Sequence, residues 1–426
     1  MGYLGENSQM GEHVPAVGLN TYLKYVVVVA GKGRLWLALA LVSVVPGTVS
    51  GQCLFRLPRA KNPEARMNIS EMVSYWGYPS EEYTVLTEDG YILQLNRIPY
   101  GRGNASQGAR PVVLLQHGLL GEGSIWVTNL PNSSLGFILA DAGYDVWLGN
   151  SRGNTWSKRH LVLSPKWEEF WAFSFDEMAR YDLPATINFI EQKTGQQQLY
   201  YIGHSQGTTI AFIAFSTMPH LAQKIKMYLA LAPVFTIAFA PSPLRKFAFF
   251  SDYGLKEMFG TKEVLPHTAL GELILARFCP CSKTCKNFLT KLFGFNWKNT
   301  NMSRVDVYAA HAPAGTSVQN IIHWIQGAQS GALRAYDGGS RYNSLRYSQV
   351  GPPHYNVTAM RVPTAVWNGG LDCLADPQDV ALLLPQLSSL VHHKVIPQWN
   401  HLDFVLGLDA PGLLYQEMVE VMKQQP

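Results

Sequence analysis

The pentapeptide Gly203-His204-Ser205-Gln206-Gly207 stands between an apolar run, residues 199–202, and a stretch with helical periodicity, residues 208–218. A G-x-S-x-G turn in that setting constrains the chain more than any other feature. A strand has to deliver the backbone into a tight reversal, and flanking glycines keep side chains out of it. The serine hydroxyl is then held out at a strand end, with a helix N-terminus behind it that favours developing negative charge. This is the pattern of a nucleophile elbow.

A second copy, Gly149-Asn150-Ser151-Arg152-Gly153, also follows a strand-like run, residues 144–148. Residues 154–160, which come after it, are polar and lack helical periodicity. Only the first copy has strand, turn and helix in succession. Ser205 is therefore the expected nucleophile, and Ser151 reads as part of a structured loop.

A nucleophilic serine needs a base, and the base needs an acid to orient it. Behind an elbow of this kind the chain order is Ser, Asp, His. Residues 362–367 read as a strand that breaks at Asn368-Gly369-Gly370, and Asp372 follows directly. The C-terminal end of such a strand is where α/β sheets gather functional side chains. Asp376, Asp379 and Asp403 are rivals, although Asp376 precedes Pro377 and reads as a helix cap. Residues 393–397 form a short last strand, and His401 leaves it where the base belongs. Among the 12 histidines, His220 and His392 read as ordinary surface or core residues. The oxyanion needs two backbone N–H donors. One belongs to Gln206, directly after the serine; the other is expected from Leu119, in the loop after the strand 111–116. His117 in that loop is expected to be structural, because the hole uses backbone groups.

Five segments together resemble the acid lipase family of the α/β-hydrolases. They are Gln116-His-Gly-Leu-Leu120, Leu148-Gly-Asn-Ser-Arg-Gly-Asn-Thr-Trp156, Gly203-His-Ser-Gln-Gly207, Pro313-Ala-Gly-Thr-Ser-Val-Gln-Asn320 and His401-Leu-Asp-Phe404. That family contains gastric lipase, lysosomal acid lipase and epidermal relatives. The resemblance runs from about Met67 to the C-terminus. Asn68-Ile-Ser-Glu-Met-Val-Ser-Tyr-Trp-Gly77 and Asn132-Ser-Ser-Leu-Gly-Phe137 look nearer to the lysosomal member than to gastric lipase. Carried over residue by residue, the resemblance implies a triad of Ser205, Asp372 and His401, with Leu119 and Gln206 as oxyanion donors. It implies an acyl-enzyme on Ser205 and no cofactor. The implied substrates are triacylglycerols and cholesteryl esters at a lipid–water interface, cleaved at acidic pH in the lysosome. A secreted, gastric-type triacylglycerol lipase is the alternative, with an acyltransferase or a catalytically silent binding module as remoter ones. Two positions depart from the pattern. Phe293 stands where relatives often carry a cysteine before a Gly-Phe pair, and Cys373 where a bulky apolar residue is usual.

Strand-like and helix-like runs alternate over residues 85–233, the signature of a mainly parallel sheet with helices on both faces. The rhythm stops between about 234 and 355, a region rich in aromatic residues and Leu that separates Ser205 from Asp372. An apolar, largely helical insertion at that place reads as a cap, with a lid expected within residues 266–291. Most of its aromatic residues are expected to pack cap on core, and a subset to line an acyl pocket. The expected organisation is a signal peptide with an extended n-region at 1–50 and a short linker at 51–66. A first core segment spans 67–233, the cap and lid 234–357, and a second core segment 358–426.

The signal peptide rests on Lys32 and Arg34, the apolar residues 35–45 and small residues at 47–51. A membrane helix across residues 22–45 would bury both cations at its centre, so no stable span is expected in the mature chain. Sequons at Asn68, Asn104, Asn132, Asn301 and Asn356 are glycosylation candidates that fit secretory entry. The net charge of +4 comes without any basic run, so nucleic acid is not an expected partner. Cys53, Cys279, Cys281, Cys285 and Cys373 are odd in number, so at least one is unpaired or intermolecular. Cys279 and Cys285 can close a small loop. No cysteine has histidines at metal-ligand spacing, and no metal site is expected.

Overall fold

A computed structural model describes residues 62–103 and 108–424. The expected signal peptide, most of the linker, Cys53 and Asn104 lie outside the described residues.

The strands are β1 (Glu81–Leu86), β2 (Tyr91–Ile98), β3 (Val112–Gln116), β4 (Asp145–Gly149), β5 (Arg159–His160), β6 (Leu199–His204), β7 (Ile225–Leu231), β8 (Glu263–Val264), β9 (Thr316–Ser317), β10 (Thr364–Gly369) and β11 (Leu390–Ile396). The main sheet runs β1-β2-β4-β3-β6-β7-β10-β11, with β5 beside β2. From β4 to β11 every pairing is parallel, while β1, β2 and β5 are antiparallel additions at one edge. β3, β4, β6 and β10 are buried at every residue. That is why they read as unbroken apolar runs rather than as alternating ones. β11, at the other edge, alternates half-buried and exposed residues. It begins three residues earlier than the sequence suggests.

The helices that bear on the site are α1 (Leu135–Asp141), α2 (Leu183–Thr194), α3 (Gln206–Thr217), α4 (Lys283–Phe293), α5 (Val305–His311), α6 (Val318–Ser330), α7 (Pro377–Leu383) and α8 (Gln416–Gln424). Helix α1 packs on β4, α2 on β1 and α3 on β6. Ten of the 12 residues of α3 are buried. A helix that is apolar all round belongs inside the molecule, and α3 is the one whose N-terminus meets Ser205.

Between β7 and β10 the chain leaves the sheet for α4, α5, α6, the eight-residue helices Asp252–Phe259 and Ser340–Tyr347, and several shorter helical turns. It also forms a two-stranded ladder, β8 with β9, pairing Glu263 with Ser317 and Val264 with Thr316. The sequence reading has no strand here, since two residues are too few to show a period. Two satellite apolar clusters stand in this region. One gathers Leu255, Val264, Val318 and Ile322; the other gathers Ile274, Leu289 and the bridged pair Cys279–Cys285. Among the described residues Cys373 is a free, buried thiol. None of the described helices is long and apolar enough to cross a membrane.

Candidate active site

Ser205 joins β6 to α3 with φ 54° and ψ −122°. A non-glycine residue at positive φ is strained and persists only where its surroundings hold it. Here they leave no choice. A Cβ on Gly203 would come within 2.8 Å of the Gly207 backbone, and one on Gly207 within 2.5 Å of the Gln116 carbonyl oxygen. The first and last residues of the pentapeptide are therefore glycine for room, and the strain falls on the serine.

Ser205 Oγ lies 2.7 Å from His401 Nε2. On the far side of the ring, His401 Nδ1 lies 2.9 and 3.0 Å from the two oxygens of Asp372. With Nδ1–H donated to the carboxylate, Nε2 is left as the acceptor that faces the serine hydroxyl. Asp372 is held in turn by the N–H groups of Leu374 and Ala375, at 2.9 and 2.8 Å. Both side chains are almost wholly buried. Asn400 ties the two loops together, its Oδ1 accepting from His401 N–H at 2.8 Å and Cys373 N–H at 3.2 Å.

The rival carboxylates are engaged elsewhere. Asp376 caps α7 by accepting from Gln378 N–H. Asp379 is buried and accepts from Thr236 and from the Ala238 and Phe239 N–H groups. Asp403 accepts from Asn400 N–H, Asn296 and Asn299, and burial pushes its carboxyl up to about 6. Cys373 lies 3.4 Å from the Thr290 carbonyl near the end of α4, and burial pushes its thiol up to about 12.

Ser151 accepts from Gln116 Nε2 at 3.0 Å, and its N–H donates to His117 Nε2 at 3.1 Å. His117 Nδ1 faces the Gly118 carbonyl at 2.8 Å. Complete burial pulls this imidazole down to about 4, so it stays neutral and locks the loop. His204 behaves alike. Burial, reinforced by the neighbouring His401, lowers it to about 3, and its Nε2 meets the His401 carbonyl at 2.9 Å.

The backbone at Gly118 lies against Ser205, since a Cβ there would fall 2.7 Å from Ser205 Cβ. Leu119 thus follows directly on a residue in contact with Ser205, and Gln206 begins the helix behind it. The Gln206 side chain shows what sequence reasoning missed. Its Oε1 accepts from Asn320 Nδ2 at 2.9 Å and from Trp324 Nε1 at 2.7 Å, both on α6. Asn320 also accepts from Phe175 N–H. The segment ending at Asn320 stands out in the sequence, but nothing in it says that the residue reaches Gln206.

Ser205 and His401 open into a cavity of about 400 Å³. Its wall is apolar, with Leu119, Ile237, Phe247, Phe288, Phe293 and Trp297 among its residues. Phe288 and Phe293 come from α4, whose last turn ends at Gly294. A Cβ on Gly294 would stand 2.4 Å from His401 Cβ, so the inserted region touches His401 directly. Among the described residues no cluster of three metal-ligating side chains occurs.

Residues 111–408 match the family model described as alpha/beta hydrolase fold, and residues 69–130 that of a partial alpha/beta-hydrolase lipase region. A crystal structure of a protein from Acinetobacter baumannii superposes with a TM-score of 0.51 at 15% identity, over 86% of this chain and 98% of that one. At that identity the likeness is one of fold. Sheet order, elbow and matching models define an α/β-hydrolase. Among curated relatives, human lipase member K is 58% identical over 368 residues, 85% of this chain and 92% of the relative. Human lysosomal acid lipase/cholesteryl ester hydrolase is 58% identical over 370 residues, 86% and 93% of the two chains. Human gastric triacylglycerol lipase is 56% identical over 397 residues, 92% and 99% of the two chains. The chain belongs to the acid lipase family, and it is an ester hydrolase of the lipase kind.

Proposed function

We propose that the chain hydrolyses triacylglycerols and cholesteryl esters, at acidic pH, through an acyl-enzyme on Ser205. The observation that carries this reading is the Ser205–His401–Asp372 relay of 2.7 and 2.9 Å opening into an apolar cavity. Ser205 Oγ attacks the ester carbonyl while His401 Nε2 takes its proton. Asp372 keeps the imidazole in the right tautomer and stabilises the imidazolium. The N–H groups of Leu119 and Gln206 hold the tetrahedral oxyanion. The alcohol leaves with the proton from His401, and water then repeats the cycle, releasing the fatty acid and restoring Ser205.

The apolar wall supports a long acyl chain as the substrate's tail, since each methylene that leaves water gains about 0.8 kcal/mol. A cleft of that kind needs cover when empty, and residues 266–291 are the proposed lid, within a cap at 234–357. Glycosylation at Asn68, Asn132, Asn301 and Asn356 is compatible with their positions, because none of the four is buried. The names of the relatives support passage through the secretory pathway, and the lysosome is the proposed destination. The gastric relatives are 56% to 58% identical, so identity alone does not rank the two kinds. A panel of triacylglycerol, cholesteryl ester and short-chain ester, assayed from pH 4 to 8 without added alcohol, decides. Release of free fatty acid from the first two, best in acid, is the expected result. A maximum above neutrality or uncut cholesteryl ester points to the gastric type. No free fatty acid at all points to a transferase or a silent module.

A further inference from the structure

Leu119 packs on the apolar cluster of the inserted region, and two polar contacts join that region to the loop. One is fixed: Ala314 N–H donates to the Leu120 carbonyl at 2.8 Å. The other can titrate. His311, the last residue of α5, puts Nδ1 3.0 Å from Glu122 Oε1 and Nε2 3.1 Å from the Glu64 carbonyl. A carboxylate and a carbonyl are both acceptors. Neutral imidazole has one N–H and satisfies only one of them, whereas imidazolium satisfies both. All three residues are buried. Glu122 Oε1 also accepts from Ser124 Oγ at 2.7 Å and the Glu64 carbonyl from Met67 N–H at 3.2 Å, but only imidazolium donates at both ring nitrogens and leaves no lone pair facing an oxygen.

The charges around the ring favour the same state. Glu122 faces it from the loop after β3, and Glu272 adds negative potential from the segment before α4. The Glu64 carboxylate is already taken by Arg304, 2.6 Å away, and by Trp76 Nε1 at 2.7 Å. Burial works against the charged ring, but the Glu122 hydrogen bond and charge and the Glu64 carbonyl outweigh it. The imidazole is therefore raised above its ordinary value of 6.5.

The loop at the other end of this pair is strained. Leu120 adopts φ 61°, which a leucine holds only when neighbours enforce it, and Gly121 N–H closes a turn onto the Gly118 carbonyl at 3.1 Å. In so tight a turn, displacement of Glu122 is passed to Leu119, three residues before it.

We propose that His311 and Glu122 form a proton-dependent latch between cap and oxyanion loop, closed in acid, that positions the Leu119 N–H. The latch rests on the assignment of Leu119 as an oxyanion donor. Its sign follows from the raised imidazole. The stabilisation is fully present below about 6.5 and is lost as pH rises through the higher folded-state value. His311 and Glu122 are thus positioning residues, and they supply a structural reason for turnover to decline on the alkaline side.

The test uses the full chain, a soluble butyrate ester and the variants His311→Gln and Glu122→Gln, with ¹⁵N-labelled histidine followed by NMR. At pH 5, His311→Gln should lower kcat about tenfold through a misplaced donor while leaving KM within about twofold. Towards pH 8 the deficit should shrink, because the wild-type latch is open there too. The wild-type His311 ring should show both nitrogens protonated at pH 6, and Glu122→Gln should lower its midpoint. A kcat ratio constant across pH, or a change confined to KM, overturns the latch. A neutral His311 ring at pH 6 overturns it even if both variants fail to fold. Absence of any ester turnover by the wild type instead overturns the hydrolase reading, and with it the Leu119 half of this one.

Discussion

Two serines and four aspartates compete for roles at the site, and each contest is decided by what the side chain touches. Ser205 Oγ has an imidazole nitrogen at 2.7 Å, whereas Ser151 Oγ has the amide of Gln116. Ser205→Ala is expected to remove turnover by a factor on the order of 10⁴ to 10⁶ in folded protein. Ser151→Ala should keep measurable activity, because it loses one buried hydrogen bond worth about 1 kcal/mol. Equal loss in both, with fold intact by circular dichroism, would refute the choice of nucleophile. Asp372 accepts the hydrogen bond of His401 Nδ1–H; Asp376 accepts that of a helix N–H. Asp372→Asn should therefore cost about 10⁴ in kcat by favouring the wrong tautomer. Asp376→Asn weakens a helix cap and should show mainly in thermal stability, by about 1 kcal/mol. The reverse order in steady-state kinetics would mean that the wrong carboxylate has been assigned.

At the scale of elements, the elbow was readable because three signals coincide there: a buried strand, glycines that the turn cannot do without, and a helix apolar on every side. The end of β10 was readable for a similar reason. Gly369 and Gly370 press on the backbone of Trp399 and Pro397, so the break in the run marks where the strand stops. Strand direction at the sheet edge was not readable, because β2 pairs antiparallel with β4 through residues no different in type from those of a parallel strand. Contacts across long separations stayed hidden as well. Nothing local distinguishes Asn320 as the partner of Gln206 or His311 as the partner of Glu122. The proposed lid sits between these cases. Residues 266–291 hold their own small cluster around Ile274, Leu289 and the Cys279–Cys285 bridge, and they give Leu275, Phe288 and Leu289 to the cavity wall. A segment with its own core can move as a unit. Cleaving or deleting part of it should depress hydrolysis of long-chain esters at least tenfold more than that of a soluble butyrate ester, because only the long chain uses this wall. Equal loss for both substrates in folded protein would make the segment packing rather than lid.

At the scale of the whole molecule, an enzyme proposed to work in acid has to stay folded there, and buried groups pull its stability in opposite directions. His117 and His323 are held down to about 4 and His204 to about 3, each mainly by burial. Their contribution is complete above about 6.5 and is lost as pH falls towards those values, because the unfolded chain takes up protons first. Asp176 and Asp403 are pushed up to about 6, again mainly by burial. Their contribution is present below about 3.9 and is lost as pH rises through 6. A shift of about two units corresponds to roughly 3 kcal/mol for one group, so single substitutions should tilt the curve visibly. His323 is held by Ser174 Oγ at 3.0 Å and the Arg334 carbonyl at 2.9 Å, contacts that a glutamine can approach. Tm measured by calorimetry from pH 4 to 7 should show His323→Gln costing less at pH 4.5 than at pH 7. Asp403→Asn should do the opposite, costing more at pH 4.5 than at pH 7. If each variant shifts Tm by the same amount at every pH, these groups keep their ordinary values in the fold. If the two slopes appear with the expected signs, the proposed acidic working range lies where neutral imidazoles and protonated carboxyls hold the same interior together.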